Sequence, residues 1–251
     1  WNSLLQLNAS IRAIPVLANG LLDLEALAEL LPKAALVCTM AANNETGVQQ
    51  DLQAIEQLLN QHNADAYWLV DCVQALGKMP LNLAASRIDY APFSGHKLYA
   101  PKGIGFLYVR KGAPYQPLIT GGGQEGGLRS GTENLPGIAA LNYIFQQLLD
   151  PEHSIFVGSN QLYQYREQLL AALRQLFPAL VLNSDLPQAL PTTLNFSVPG
   201  FFAKDILDLF DAAGIRVSSG SACSSKVTGS FVLDAMGLER WRSEGAIRLS
   251  F

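Results

Sequence analysis

Four short stretches of this 251-residue chain concentrate side chains able to do chemistry: ANNETG (42–47), DCVQ (71–74), SGHK (94–97) and SSGSACSS (218–225). The last poses the sharpest question. A free cysteine behaves as a small hydrophobe and belongs in a core, yet Cys223 stands among serines, glycine and alanine with little around it to bury. Cys38, in the apolar run AALVCTM, and Cys72, directly after YWLVD, fit the core pattern. Cys223 is either a semi-exposed loop residue or a thiol placed for reaction, and reactivity requires identifiable surroundings.

The elements that must position these groups alternate along the chain. LLDLEALAELL (21–31) and DLQAIEQLLNQH (51–62) read as helices, the second with Leu52, Ile55, Leu58 and Leu59 on one face. AALVCTM (34–40), AYWLV (66–70) and IDYAPF (88–93) read as buried strands. Strands separated by helices at this spacing predict a βαβ arrangement and a largely parallel sheet, an α/β fold. GIGFLYVR (103–110) follows a Pro–Gly turn and reads as an antiparallel addition. Beyond Pro136 the order changes to helices over 136–149 and 160–176, strands over 179–183 and 192–198, and a helix over 203–213 with Ala203, Ile206, Leu207 and Phe210 on one face. DPEH (150–153) reads as a hinge between a large domain, 1–150, and a smaller α+β domain, 151–251.

Composition narrows the function classes. With 49% hydrophobic residues the chain can bury a large core, and a net charge of −4 without a Lys/Arg block argues against a nucleic-acid footprint. Three irregularly spaced cysteines argue against a disulfide framework and for a reducing, cytoplasmic setting. The three histidines (His62, His96, His153) are scattered, so no metal site is expected, and no apolar run reaches membrane-spanning length. His62 and His153 read as surface residues.

In open parallel sheets, ligands bind outside the carboxyl ends of the strands. Three successive strands here run into polar residues: Asn43, Asn44 and Glu45; then Asp71 and Gln74; then Ser94, His96 and Lys97. Singly, Asn44 could be a turn residue, Asp71 a local backbone cap and Lys97 a solvated surface amine. Together they offer an amine, an anion, amides and small phosphate-binding groups at one sheet edge. A lysine amine can form a Schiff base with a carbonyl cofactor, and pyridoxal phosphate needs such a lysine, an acidic partner for its pyridinium nitrogen and donors for its phosphate.

The segments MAANNETGV, VDCVQALGK, FSGHKLYAPKGIGFLYV, GGGQEGGLRSGTENLPGIAAL and VSSGSACSS resemble, in this order, those of cysteine desulfurases of the NifS/IscS type. These are aminotransferase class V enzymes that use pyridoxal 5'-phosphate in the fold type I architecture, a mostly parallel sheet flanked by helices with a smaller C-terminal domain. The resemblance covers nearly the whole chain, and the serine-rich cysteine loop is similar to the NifS/IscS branch rather than the SufS branch.

The resemblance implies roles. Lys97 would hold the cofactor and move protons at the substrate carbons, Asp71 would pair with the pyridine nitrogen, and Gln74 would bond the ring's phenolic oxygen. Ser94 and His96 would bind the phosphate, and Thr132 would reach the phosphate of the neighbouring subunit's cofactor in a homodimer. Asn44, beside the cofactor, and Arg248, in AIRLS, would grip the substrate carboxylate, although Arg248 read alone could be a surface ion pair. Cys223 would attack the sulfur of L-cysteine, release L-alanine and carry a persulfide to an iron–sulfur scaffold or thiol carrier. Two other readings stand beside it: a selenocysteine lyase or another class V activity, and a catalytically silent fragment that dimerises or docks. Gly126 stands where the family usually has Arg, and Ala100 where it usually has Gly. The family also implies further residues before Trp1 and after Phe251, including the histidine that stacks on the cofactor.

Overall fold

The computed structural model describes residues 10–149, 160–220 and 229–250. In chain order the helices are α1 (Leu24–Leu30), α2 (Leu52–His62), α3 (Leu135–Leu149), α4 (Asn160–Leu176), α5 (Ala203–Ala212), α6 (Phe231–Ala235) and α7 (Arg240–Glu244). The strands are β1 (Leu36–Met40), β2 (Tyr67–Asp71), β3 (Tyr90–Ser94), β4 (Gly105–Val109), β5 (Val181–Leu182), β6 (Thr193–Ser197) and β7 (Ile247–Ser250). They fall into two compact units. Leu36–Ala42 and Tyr67–Tyr165 form a parallel-sheet unit; Trp1–Ala35, Asn43–Ala66 and Arg166–Phe251 form an antiparallel-sheet unit.

The parallel-sheet unit holds β1-β2-β3-β4 in that order. β1 and β2 run parallel, with Leu36 opposite Tyr67 and Met40 opposite Asp71; β2 and β3 run parallel, with Leu69 opposite Tyr90. β4 closes the sheet antiparallel to β3, with Gly105 opposite Ser94, as its position after a Pro–Gly turn predicts. Helix α3 covers one part of this unit: Leu141 and Ile144 pack with Leu98 and Ala100, and Phe145 meets Phe106 edge-on at 5.5 Å. β1 is less buried than its apolar sequence predicts, with Leu36 exposed and Cys38 half-buried. The reason is its place at the end of the strand order, beside β2 alone among the described residues.

Trp68, in β2, anchors this unit. It is fully buried; its indole N–H donates to Thr39 Oγ1 at 3.0 Å, and its backbone N–H donates to Asp89 Oδ2 at 2.8 Å. Asp89 also pairs with Arg110 Nε at 3.2 Å. Removing a buried aromatic leaves a cavity as well as lost transfer energy, so Trp68→Ala is expected to cost about 3–5 kcal/mol of unfolding free energy. Urea denaturation measures it. A shift below about 1 kcal/mol would contradict this reading of β2.

The antiparallel-sheet unit is built on β5-β6-β7. Every residue of β6 is buried, and Leu194 and Phe196 share a core with Leu173 and Phe177, with Ile206 and Phe210 of α5, and with Ile247 and Leu249 of β7. α2 is capped by Asp51, whose side chain accepts from Ala54 N at 2.9 Å, and it buries Ile55 and Leu59 as its apolar face predicts. α1 is shorter than the periodic run 21–31. Asp23 caps it by accepting from the backbone of Glu25 and Ala26, and Pro32 tightens its end into a 3-10 turn over Leu31–Lys33. Among the described residues no helix is long and apolar enough to cross a membrane.

Candidate active site

The carboxyl ends of β2 and β3 lie side by side. The Cys72 N–H donates to Pro92 O at 3.3 Å, so Asp71 ends one strand next to the turn that Ser94 begins. Asp71 Oδ1 accepts from Val73 N at 2.9 Å, a local cap that employs one oxygen and leaves the other without a hydrogen bond to any described residue. Gln74 accepts from Lys78 Nζ at 2.8 Å. An ammonium only donates, so the amide oxygen faces Lys78 and the amide NH2 remains for another acceptor. Ser94 Oγ and His96 Nδ1 lie 2.7 Å apart and share one proton between them. If the ring donates, the Ser94 hydroxyl is left to donate elsewhere; if Ser94 donates, the far ring nitrogen carries the free N–H.

Lys97 ends the 3-10 turn Gly95–Lys97, is exposed, and has no hydrogen-bond or ion-pair partner among the described residues. Its backbone is fixed tightly. Leu98 N and Ala100 N both donate to Gly95 O, at 2.8 and 3.0 Å. A Cβ at Gly95 would stand 2.8 Å from Ile104 Cγ2 and 3.0 Å from Ile104 O, so only glycine fits between Ser94 and His96. Tyr99 completes the turn at φ 66°, while Ala100 has no positive φ, so alanine is accommodated there without strain.

The antiparallel-sheet unit brings together Asn44 and Arg248. Arg248, on β7 opposite Asn195, donates from Nη1 to Asn44 O at 2.8 Å, and its backbone exchanges hydrogen bonds with Ser218 at 2.7 and 3.1 Å. Its enclosed Nε has no partner among the described residues. Arg248 is therefore not a surface ion pair but is half-buried, with its guanidinium fixed by a backbone carbonyl. The turn bearing Asn44 is held by Asn43, whose Oδ1 accepts from Glu45 N and Thr46 N at 2.8 and 2.9 Å. Glu45 is almost fully buried, and its carboxylate accepts from Ser230 Oγ at 2.5 Å. Sequence reasoning noticed Glu45 without giving it a role and missed Ser230. A lone charge inside the small and apolar run MAANNETGV was the available signal.

Thr132 is exposed on the parallel-sheet unit, just before α3, beyond a glycine loop closed by Ser130 N donating to Ile119 O at 3.0 Å and Gly131 N to Gln124 Oε1 at 3.0 Å. Gly126 lies in this loop at φ 64°, between Glu125 at 51° and Gly127 at 82°. An L side chain at position 126 would find open space but an unfavourable backbone. Cys223 and His153 lie outside the described residues, and His62 is exposed at the end of α2.

Cys72 behaves differently from a reactive thiol. Burial, and secondarily the charge of Asp71, push its pKa from 9.0 up to about 12. Iodoacetamide at pH 8 is expected to leave Cys72 unmodified in the folded protein and to modify it in urea, read by mass spectrometry. Because the folded value is the raised one, the stability gained by keeping a neutral thiol is complete below about pH 9.0 and is lost as pH climbs towards about 12.

A parallel sheet edged by one antiparallel strand, with an amine, a carboxylate and a hydroxyl–imidazole pair at adjacent strand ends, defines an α/β protein with a ligand edge of the kind parallel sheets present. The aminotransferase class-V family profile matches residues 1–251, and the chain belongs to that family. A cysteine desulfurase from Gluconacetobacter diazotrophicus is 41% identical over 243 residues, 96% of this chain and 60% of the relative. The solved structure of a NifS-like protein superposes with a TM-score of 0.85 at 36% identity, covering 100% of this chain and 65% of that one. A NifS-like protein from Rickettsia africae superposes with a TM-score of 0.86 at 31% identity, covering 100% and 66%. The chain spans about 60% of the length of the curated relatives it matches.

Proposed function

We propose that the protein is a cysteine desulfurase that converts L-cysteine to L-alanine and takes up the sulfur as a persulfide on Cys223. The observation that carries this reading is the pair of strand ends: β2 finishes on Asp71, and β3 finishes on Ser94 and leads to His96 and to Lys97, which has no partner among the described residues. That donor set fits pyridoxal phosphate. Asp71 has an oxygen to spare for a protonated ring nitrogen, Gln74 an NH2 to donate to a phenolic oxygen, and Ser94 with His96 the donors for a phosphate. Lys97 would hold the carbonyl carbon. When bound, the cofactor supplies an electron-withdrawing ring that stabilises negative charge on substrate carbons.

The residues of the chain do the rest. Arg248 and Asn44 hold the substrate carboxylate, for which a fixed guanidinium is well suited. Lys97 Nζ moves protons at the substrate carbons. The Cys223 thiolate attacks the substrate sulfur: the S–S bond forms, the Cβ–S bond breaks, and its electron pair stays on Cβ, which takes a proton. L-cysteine and a protein thiol thus give L-alanine and a protein persulfide, with no outside oxidant. The persulfide then passes to an iron–sulfur scaffold or a thiol carrier. A second copy of the chain would cover Leu118, Leu128, Leu135 and Ile138, all exposed on the unit that carries Thr132, and so form the homodimer. Three irregularly spaced cysteines support a reducing, cytoplasmic setting for the work.

The test is product analysis of the protein supplied with pyridoxal phosphate. Equimolar alanine and sulfide from L-cysteine in the presence of a reductant supports the reading. Turnover of selenocysteine with none of cysteine makes it a selenocysteine lyase, and cofactor uptake without release of alanine overturns it.

A further inference from the structure

Glu45 has no place in the chemistry above, yet it is among the most enclosed charges in the antiparallel-sheet unit, 4% exposed. Ser230 Oγ caps α6 by accepting from Leu233 N at 3.2 Å. Its single proton is therefore free to point at Glu45 Oε2, 2.5 Å away, in a short charge-assisted bond. Ser230 is itself pinned, exchanging hydrogen bonds with Ser243 at 2.8 and 3.2 Å. On the other side stands Gly220, where a Cβ would lie 3.8 Å from the same Glu45 oxygen. Gly220 and Ser230 flank residues 221–229, the stretch of sequence that carries Cys223.

The backbone of Glu45 is equally fixed. Its carbonyl accepts from the fully buried Asn195 Nδ2 at 3.1 Å, and Asn195 Oδ1 accepts in turn from Asn183 Nδ2 at 2.9 Å. The adjoining carbonyl, that of Asn44, receives Arg248 Nη1. One residue therefore joins the carbonyl that holds Arg248 to Ser230, beyond the cysteine segment, and lies close to Gly220 before it. No cation pairs with the carboxylate among the described residues, and a buried charge left without one is costly. A neutral amide would accept the same Ser230 proton at less cost, so the charge points to a demand beyond holding the fold.

We propose that Glu45 is a positioning residue for the sulfur-transfer step, fixing Ser230, just beyond the Cys223 segment, relative to the Asn44–Arg248 grip. The assignment rests on the desulfurase reading. In the cofactor-supplied protein, Glu45→Gln and Ser230→Ala are expected to slow single-turnover persulfide formation on Cys223 by about 10- to 100-fold, the range that misplaced groups cost. Cofactor uptake and the KM for cysteine should move little. The double variant should be no slower than Ser230→Ala, since Glu45→Gln weakens and Ser230→Ala removes the same bond, and Ser230→Thr should restore the rate. Without substrate, Glu45→Gln should also alkylate severalfold faster at Cys223. Wild-type rates in both folded variants, or losses that merely follow lost cofactor uptake, overturn the assignment alone. A wild-type protein that forms no persulfide from cysteine overturns the desulfurase reading, and this assignment with it.

Discussion

Lys97→Ala is expected to abolish both turnover and the visible absorbance of bound pyridoxal phosphate while leaving the fold intact. The side chain is exposed and unpartnered among the described residues, so its loss should change unfolding free energy by no more than about 0.5 kcal/mol. The rate should fall on the order of 10³-fold, within the range for removal of a group that moves protons at the reacting carbons. Lys97→Arg should fail equally, because a guanidinium keeps the charge but stays protonated and cannot act as an amine nucleophile. Absorbance titration and alanine release in the same preparation measure both effects. A coloured, active Lys97→Ala protein would remove the turn after β3 from the chemistry.

Cys223→Ala should separate the two halves of the reaction. Its cofactor uptake should match wild type, because the residues that would hold the cofactor are Asp71, Gln74, Ser94, His96 and Lys97. Sulfide release from cysteine should drop by several orders of magnitude, because no other thiol is suited to attack. Cys72 is held as a thiol by a pKa near 12, and Cys38 is also raised, chiefly by burial. Mass spectrometry after one turnover should find an added sulfur on Cys223 in wild type and on no cysteine in the variant. A persulfide on Cys38 would move the nucleophile to β1.

Much of this was legible in residue order. The periodicity of Leu52, Ile55, Leu58 and Leu59, and that of Ala203, Ile206 and Phe210, marks faces that the fold does bury. The polar residues after β2 and β3 stand where ligands meet parallel sheets. β7, α6 and α7 escaped because four or five residues carry too little period to register, and their conformation is set by packing against distant chain. Asp71 shows how two readings of one residue can both hold. It caps Val73 locally and still keeps an oxygen to spare. Arg248 read alone could not be placed, and only the resemblance set it beside Asn44, since its anchor, the Asn44 carbonyl, is 204 positions away. The Glu45–Ser230 bond, across 185 positions, was hidden for the same reason.

The interleaving of the two units has a consequence for synthesis. Within this sequence the parallel-sheet unit ends at Tyr165, and when that residue has emerged from the ribosome the antiparallel-sheet unit still awaits Arg166–Phe251. Until then Trp1–Ala35 and Asn43–Ala66 wait without the rest of their unit: α1 and α2 can meet each other, but β5, β6 and β7 and the core they share are still to come. Slow, long-range closure of this kind exposes nascent chain to aggregation and gives chaperones something to hold. Elements that could take a cofactor are therefore made before the arginine that would hold the substrate.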